Sequence, residues 1–357
     1  MNAPFGPSVL TVMPADLKDA AIVAELESFV RDHPDSTPFH RPAWVKAVAA
    51  GTGQTPHYLV ARDLTGGVKG VLPLTEVRSR LFGRALVSSG FAVGGGALAH
   101  DPTEVDKLAQ AAWVLAQDLG CTTAELRGGA APSQAWTTKG DAYLGFRKAL
   151  EADDDAQLQA IPRKHRAELR KGLANKLQFE VGRDQRFRDA HYALFARSVH
   201  NLGTPVFPRS LFEAVLDDFG QDADIVLVSH QGVPVSSILS LYHGNACMPY
   251  WQGSSPAARQ LRSNEVAYFR LMNLARERGY SYFDFGRSKV GTGPAAWKKS
   301  WGWEPEALSY HWRAIEGHEM RDVNPLSPQY RRKIMLWKKL PLSLANRIGP
   351  YIARGLG

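Results

Sequence analysis

The sequence predicts an α/β fold that contains two copies of one unit, each a mixed sheet flanked by helices. Two stretches have the pattern of strand, turn and strand, and each is followed by a third strand-like stretch and an amphipathic helix. A glycine and one more strand follow each helix. Because the same order of elements occurs twice, we interpret the chain as a duplicated α/β unit.

The chain has 357 residues, more than one hydrophobic core usually holds, so two domains are expected. We predict a first domain at 1–150, a second at 151–320 and a tail at 321–357. With 44% hydrophobic and 22% charged residues, the composition is that of a globular protein.

The first copy begins with "HYLVARDLTGGVKGVLPLTEV" at 57–77, where Gly66-Gly67 marks the turn of a hairpin. A third strand-like stretch follows at 85–99. Apolar residues at helical spacing predict a helix over 103–119, and "GCTTAELRG" at 120–128 predicts the next strand.

The second copy begins with "DIVLVSHQGVPVSSILSLYHG" at 224–244, where Gln231-Gly232 marks the turn. The third strand-like stretch is 246–254, and the last strand lies within 279–287. Between them a helix is predicted over 264–278, with Val266, Phe269, Met272 and Ala275 on one face. The pattern of elements is repeated more closely than the residues themselves.

A basic helix, 151–177, joins the copies, and Pro162 is expected to start its basic part. Arg163, Arg166 and Arg170 are spaced to lie roughly along one face. That face fits phosphate or RNA binding and equally fits a solvated helix surface.

The predicted unit resembles the GNAT acyltransferase (acyl-CoA N-acyltransferase-like) fold, and two units in tandem resemble the FemAB-like transferases. Five motifs extend the resemblance along the chain: "IPRKHRAELRKG", "HNLGTPVFP", "GYSYFDFGRSKVGTG", "WKKSWGWEP" and the ending "LWKKLPLSLANRIGPYIARGLG". They are similar to those of the FemAB-type protein associated with exosortase A (PEP-CTERM) systems and exopolysaccharide loci.

The resemblance implies an acyl or aminoacyl transferase acting on an amine or hydroxyl of a cell-envelope or exopolysaccharide precursor. FemAB-like enzymes take the aminoacyl group from aminoacyl-tRNA, whereas other double-GNAT relatives are presumed to use acyl-CoA. The donor is therefore one of these two, with no tightly bound cofactor. Two alternatives stay open: a CoA-dependent N-acyltransferase on a sugar or lipid, and a non-catalytic scaffold that binds a glycan or lipid intermediate.

In GNAT folds two central strands diverge and expose backbone groups to the donor, and here those strands are "MPYWQG" and "YFDFG". Acyl transfer needs a positioned carbonyl, a neutral amine and donors for the developing oxyanion. Tyr250, Asp284 and Arg287 are therefore the candidate catalytic residues. Asp284 would act as a base or orient the amine; alternatively, its carboxylate binds backbone N–H groups at the strand end.

The segment "FDFGRSKVGTGPAAWKKSWG" at 283–302 follows the last strand with four cations and two indoles. Cations at a strand terminus suit phosphate or carboxylate groups, and aromatic faces pack against sugars, bases or cations. We assign substrate binding to Lys289, Trp297, Lys298 and Trp301, against the alternative of a solvated basic loop.

Two further places are candidates for substrate contact. Asn201 and Thr204 lie in a break between helices, where loops often contact ligands. His40 precedes a helix that begins at Pro42, with Trp44 behind it. A capping or core role is the alternative for His40.

The donor would bind at "SPAARQLRSNEVAYF". CoA-dependent GNAT enzymes carry a glycine-containing loop that holds pyrophosphate at a helix N-terminus, and this stretch has no glycine. We assign donor binding to Arg259, Arg262, Ser263 and Asn264, the arginines replacing backbone donors. The first copy also lacks the loop, so we expect it to be structural or acceptor-binding.

The net charge of +8 is concentrated in the tail, which has eight Lys or Arg and one Asp. Ile334, Trp337 and Leu340 accompany these cations and predict an interfacial helix over 328–357 that binds anionic lipid. The alternative is that this apolar side packs on the body. A nucleic-acid-binding surface over the whole protein is poorly supported.

The sequence shows neither a secretory signal nor 18 consecutive apolar residues. Its two cysteines, Cys121 and Cys247, are interpreted as reduced core residues, and no metal-ligand cluster is seen. We therefore expect a cytoplasmic protein, peripheral on the inner face of the cytoplasmic membrane if the tail binds lipid.

Overall fold

The structure is a computed structural model that describes residues 10–133, 135–318 and 328–357. The described strands, in chain order, are β1 (Thr11–Pro14), β2 (Thr55–Arg62), β3 (Val68–Ser79), β4 (Gly83–Ser88), β5 (Leu98–Ala99), β6 (Thr123–Arg127), β7 (Thr137–Gly145), β8 (Arg147–Ala149), β9 (Leu177–Gly182), β10 (Ala223–His230), β11 (Val233–His243), β12 (Ala246–Ser254), β13 (Tyr282–Asp284), β14 (Ser288–Lys289) and β15 (Glu306–Ala314).

The described α-helices are α1 (Ala20–Asp32), α2 (Pro42–Thr52), α3 (Pro102–Asp118), α4 (Asp154–Ala160), α5 (Arg163–Ala174), α6 (Gln185–Leu202), α7 (Arg209–Phe219), α8 (Ala258–Leu261), α9 (Ser263–Glu277), α10 (Gly293–Ser300), α11 (Pro328–Lys339) and α12 (Leu342–Ala353). Short 3₁₀ helices span Pro38–His40 and Gly220–Asp222.

The chain forms two compact units. The first contains the described residues of 10–140, 309–318 and 354–357, and the second contains 141–308 and 328–353. These ranges differ from the expected domains at both ends of the second domain and in the tail, where 328–353 belong to the second unit and 354–357 to the first. β8 pairs with β13 and so joins the second unit, while β15 pairs with β6 and returns the chain to the first.

The first unit contains a sheet with the strand order β1-β2-β3-β4-β6-β15. β4 and β6 run parallel, and the other pairs are antiparallel. Successive residues of β2 face opposite sides: Leu59 packs in the cluster with α3, whereas Val60 packs in the cluster with α1 and α2. The predicted hairpin is confirmed, with Gly66 in the left-handed region at φ +87°.

The second unit contains a sheet with the strand order β8-β13-β12-β11-β10-β9, in which β12 and β13 are parallel. The helix predicted after the third strand is α9, and the four apolar residues expected on one face are buried in the core: Val266, Phe269, Met272 and Ala275. Both units therefore place a hairpin, a third strand, a helix and a parallel strand in the predicted order.

The tail packs on the second unit, because α11 and α12 both contact α6. Ile334 lies against Gly203, which ends α6, and Gly349 lies against Val206. Ile334, Trp337 and Leu340 are half-buried, so Ile334, one of the three residues expected to face lipid, is used in packing. Residues 321–327 and the side chains of Arg331 and Arg332 lie outside the described part of the chain.

Candidate functional site

The site is built where two parallel strands of the second unit stop pairing. Over the described residues, β12 and β13 pair at Ala246 with Tyr282 and at Cys247 with Phe283. β13 then ends at Asp284, while β12 continues to Ser254. The strands predicted to diverge thus share only two register positions, which leaves the later backbone of β12 beside a gap.

Tyr250 occupies a β-bulge on the β12 side of this gap. Leu239 of β11 pairs with Trp251, and the next residue, Ser240, pairs with Pro249, so Tyr250 is the extra residue. Bulges re-aim side chains and are frequent next to active sites. The Tyr250 ring contacts the Trp251 ring at 4.8 Å.

Asp284 ends β13 on the other side of the gap and is half-buried. Burial raises the pKa of its carboxyl group, and the 2.7 Å hydrogen bond that Oδ1 accepts from the Gly286 N–H opposes that rise. The positive charges of Arg147 and Lys298 also oppose it. A carboxyl group with a raised pKa can accept a proton near neutral pH more readily than an ordinary aspartate.

Arg287 and Lys289 follow Asp284 closely, Arg287 immediately before β14 and Lys289 within it. Ser288 and Lys289 form β14, which pairs with Leu144 and Tyr143 of β7. The Arg287 guanidinium carbon lies 4.3 Å from the centroid of the Tyr143 ring, a cation–π contact. Both cations are half-buried, and they follow Asp284 by three and five residues.

Lys298 faces inward, contrary to the expectation of a substrate contact. Its ammonium group donates to the carbonyl oxygens of Phe285 at 2.6 Å, Gly286 at 3.1 Å and Arg287 at 3.0 Å. Burial lowers its pKa to about 8, and the charge of Asp284 opposes that change. Since an ammonium group has three donors, Lys298 is fully used in holding the turn that follows Asp284, while Lys299 is exposed.

The two tryptophans of this segment lie in an aromatic cluster. Trp301 is 1% exposed and packs against Phe285 at 5.8 Å, so its burial does not support the expected substrate contact. Trp297 is half-buried and contacts Tyr268 at 5.0 Å. The cluster supports the turn at 285–287 from the core side.

His165 of α5 belongs to this cluster and was missed by the sequence analysis, because it lies within a run of basic residues. The Ser300 hydroxyl donates to the Trp297 carbonyl at 2.6 Å, so it accepts from His165 Nδ1, 3.0 Å away. This assignment leaves a lone pair on Nε2. Burial lowers the pKa of His165 to about 4, so the imidazole is neutral at pH 7.

The predicted donor residues lie at the start of α9. Arg262 has a left-handed backbone, with φ 55°, and its Nε lies 2.5 Å from Glu168 Oε2. It also donates to the Arg259 carbonyl, whereas the Arg259 side chain is exposed. One of the two arginines expected to bind the donor is therefore engaged in an ion pair with α5.

Ser263 and Asn264 join a hydrogen-bond network with the sheet. Ser263 Oγ lies 2.6 Å from Ser236 Oγ. Asn264 Oδ1 accepts from Ser236 Oγ at 2.7 Å and from Gln252 Nε2 at 2.9 Å. These bonds fix the first turn of α9 against β11 and β12, and Arg262 gives that turn no side-chain cap.

The other predicted contacts lie elsewhere. Asn201 and Thr204 are exposed at the end of α6, and the loop after them brings Phe207 to 6.4 Å from the Trp251 ring. His40 and Trp44 are buried in the first unit. His40 Nδ1 accepts from the Thr37 N–H at 2.9 Å and Nε2 contacts the Gly96 carbonyl at 3.2 Å, which is a structural role; Trp44 Nε1 donates to the Gly90 carbonyl at 3.1 Å.

The described ranges contain no group of three or more His, Cys, Asp or Glu side chains placed to hold a metal ion. Within the same residues, no helix combines the length and hydropathy that crossing a bilayer requires. The gap, with Tyr250 on the β12 side and Asp284 at the end of β13, is the candidate site, and Arg287 follows Asp284 by three residues.

Residues 161–299 match the family model for the acetyltransferase (GNAT) domain. Three solved structures share the fold, and the crystal structure of FemX aligns with a TM-score of 0.64 at 15% identity, over 84% of this chain and 96% of that chain. A tandem GNAT protein from the clavulanic acid biosynthesis pathway aligns with a TM-score of 0.56 at 14% identity, over 87% of this chain and 100% of that chain. The C-terminal domain of a putative lysylphosphatidylglycerol synthetase from Agrobacterium fabrum aligns with a TM-score of 0.53 at 14% identity, over 82% of this chain and 91% of that chain. The comparison with curated proteins found no match.

The match to the family model falls entirely within the second unit, which holds the gap. The first unit has the same order of elements as the second. The tandem GNAT structure aligns with 87% of the chain. The chain therefore has a tandem GNAT fold, and the part of it that matches the GNAT domain model lies in the second unit.

Proposed function

We propose that the second unit catalyses transfer of an acyl or aminoacyl group to an amine or hydroxyl of a cell-envelope or exopolysaccharide precursor. The observation that carries this proposal is the gap between β12 and β13, with a bulge at Tyr250 on one side and half-buried Asp284 on the other. Exposed backbone groups in such a gap can hold the donor carbonyl and the developing oxyanion.

Asp284 is the residue to which we assign proton transfer from, or orientation of, the acceptor. Its raised pKa brings the carboxyl group closer to the pH at which a general base is effective. Arg287, held over Tyr143, is assigned to an anionic group of donor or acceptor, because a guanidinium binds carboxylate and phosphate in a bidentate manner. Tyr250 is assigned to contact with the acyl group.

The donor is acyl-CoA or aminoacyl-tRNA. The ion pair between Arg262 and Glu168 and the network around Asn264 support a donor that does not need a glycine-containing phosphate loop. The fold shared with FemX and with the putative lysylphosphatidylglycerol synthetase adds support for an aminoacyl donor and a cell-envelope acceptor. The five motifs quoted above support the exosortase-associated assignment, and the basic tail supports a peripheral position at the inner membrane face.

The same network supports a second proposal, a non-catalytic scaffold that binds a glycan or lipid intermediate. In that case the side chains at the start of α9 serve only to hold the helix on the sheet. A CoA-dependent N-acyltransferase on a sugar or lipid is the third proposal. The scaffold needs no donor, the third proposal requires acyl-CoA, and the first proposal admits acyl-CoA or aminoacyl-tRNA.

The test is a thermal-shift and calorimetric panel of acetyl-CoA, longer acyl-CoAs, an aminoacyl-tRNA mimic and nucleotide-linked sugars. A saturable response to one donor identifies it. Arg259→Ala/Arg262→Ala should then weaken binding, and Glu168→Gln is the matched control, because it breaks the same ion pair and keeps both arginines. A response to sugars alone would favour the scaffold.

Once a donor is known, Asp284→Asn and Arg287→Ala should each abolish transfer, with the loss for Asp284→Asn being about 100-fold or more if it is the base. The melting temperature should change little, because neither side chain lies in the hydrophobic core. If both variants unfold, the residues are structural and the site assignment fails.

A further inference from the structure

The tail exposes an apolar face that is different from the one expected from the sequence. Thirteen large hydrophobic side chains are exposed among the described residues, and five of them lie in the short stretch between 335 and 351. They are Met335, Leu336, Leu344, Ile348 and Tyr351. Such a concentration on one short segment indicates an interaction surface rather than scattered exposure.

Three of the five form one stripe on α12. Leu344, Ile348 and Tyr351 are spaced i, i+4 and i+7, so they lie on one helical face, and Tyr351 is 70% exposed. The opposite face carries the small residues Ala345 and Gly349, which are buried. α12 therefore packs on the second unit through its small residues and presents its large ones to the outside.

α11 is arranged in the same way. Ile334 packs against Gly203, while Met335 and Leu336 are exposed. Since both helices pack on α6, their opposite faces both point away from it.

The charge of this segment is of one sign. Residues 328–357 contain seven Lys or Arg and no Asp or Glu. Lys339 lies beside Leu336 on the outward face of α11, and Arg347 flanks the stripe on α12; both are exposed. Apolar side chains flanked by cations are the pattern of a helix that lies in the interface of an anionic bilayer.

We propose that the outward faces of α11 and α12 dock the protein on an anionic bilayer surface, with Leu344, Ile348 and Tyr351 entering the headgroup region. A second copy of the chain is disfavoured as the occupant, because a symmetric contact through this face would bring cations against cations. The surface shares no residue with the gap and needs no transferase activity. Vesicle binding without transfer would therefore leave this inference standing while the proposed function failed.

The test is flotation of the full chain with vesicles of phosphatidylcholine alone or mixed equally with phosphatidylglycerol. The wild type should float only with the anionic vesicles, and salt should weaken binding. Leu344→Gln/Ile348→Gln/Tyr351→Gln should bind about tenfold or more weakly. Lys339→Gln/Arg347→Gln should lose a similar factor, since each charge near the surface contributes about fivefold.

The matched control is Leu64→Gln/Leu81→Gln, which removes two exposed leucines of the first unit and should bind as the wild type does. Melting curves should be unchanged for all variants, because every substituted side chain is exposed. The inference is overturned if the wild type ignores anionic vesicles, if the stripe variant binds like the control, or if sedimentation shows that the stripe mediates dimers.

Discussion

The two units differ at equivalent places, where their parallel strands stop pairing. In the first unit β4 and β6 pair as far as Val87 and Glu125, and the Arg127 N–H then donates to Ser88 Oγ at 2.7 Å. In the second unit the pairing ends at Cys247 and Phe283, and Asp284 follows with its carboxylate bonded to the Gly286 N–H.

In the first unit, further hydrogen bonds from Arg127 hold together the chain beyond the paired part of β4 and β6. The buried Arg127 guanidinium donates to Glu125 at 2.7 Å, to the Ala92 carbonyl at 3.1 Å and to the Gly357 carbonyl at 3.0 Å. In the second unit the equivalent region holds a half-buried carboxyl group with a raised pKa. The polar contacts of Arg127 thus hold the first unit together at its strand ends. In the second unit the strand end carries instead a titratable carboxyl group with a shifted pKa, and such groups are frequent in functional sites.

Replacing Lys298 with Met is the change with the largest expected effect on this contrast. It removes three charge-assisted hydrogen bonds and leaves the carbonyls of 285–287 without their donor, so we expect a loss of about 4 kcal/mol in unfolding free energy. Denaturant titration measures it. Lys299→Met, the exposed neighbour, should change stability by less than about 0.5 kcal/mol; equal effects would show that Lys298 does not hold the turn.

Gly96→Ala tests how tightly the first unit is packed where the chain leaves β6. An added Cβ would lie 2.0 Å from the Gly128 carbonyl oxygen, so the backbone must shift, and we expect a loss of about 3 kcal/mol. At Gly94 the nearest atom, on Phe39, is 3.8 Å away, and Gly94→Ala should be nearly neutral. Donor binding by the second unit should survive in both variants; its loss in Gly96→Ala alone would tie the site to the first unit.

The smallest predicted effect is a pH dependence that originates in the second unit. The pKa of His165 is about 4 in the folded protein, against 6.5 for an ordinary histidine, so the unfolded state binds the extra proton as pH falls from 6.5 to 4. Stability is thus lost on acidification through that window, by at most about 3 kcal/mol. His165→Gln should remove this part of the slope, while His318→Gln, at an exposed position, should keep it.

Much of the fold was predictable because it depends on local signals. Turn glycines and helical periodicity are short-range features, and Gly66 and the apolar face of α9 were found from them. The bond between Arg127 and Gly357 joins residues 230 positions apart, and no local pattern indicates it. The burial of Lys298 was also not predictable, because nothing in the sequence distinguishes it from Lys299, the exposed lysine beside it.

The two strands that diverge, and the polar residues at their ends, could be predicted from the sequence. A buried strand followed by polar residues is a local pattern, and it can be recognised without knowledge of the fold. It could not separate ligand contacts from packing. Trp301 and His40 carry groups that suit substrates, and both are buried with structural contacts. His165 escaped notice because its role depends on Ser300, which is distant in sequence.

Hydrogen–deuterium exchange, measured with and without the donor that stabilises the protein in the panel, tests directly whether the ligand site lies in the second unit. If it does, the donor should protect the amides of 248–254 and 284–289 and leave those of 88–97 and 124–128 unchanged. Protection confined to 88–97 and 124–128 would contradict it, because the ligand site would then lie in the first unit.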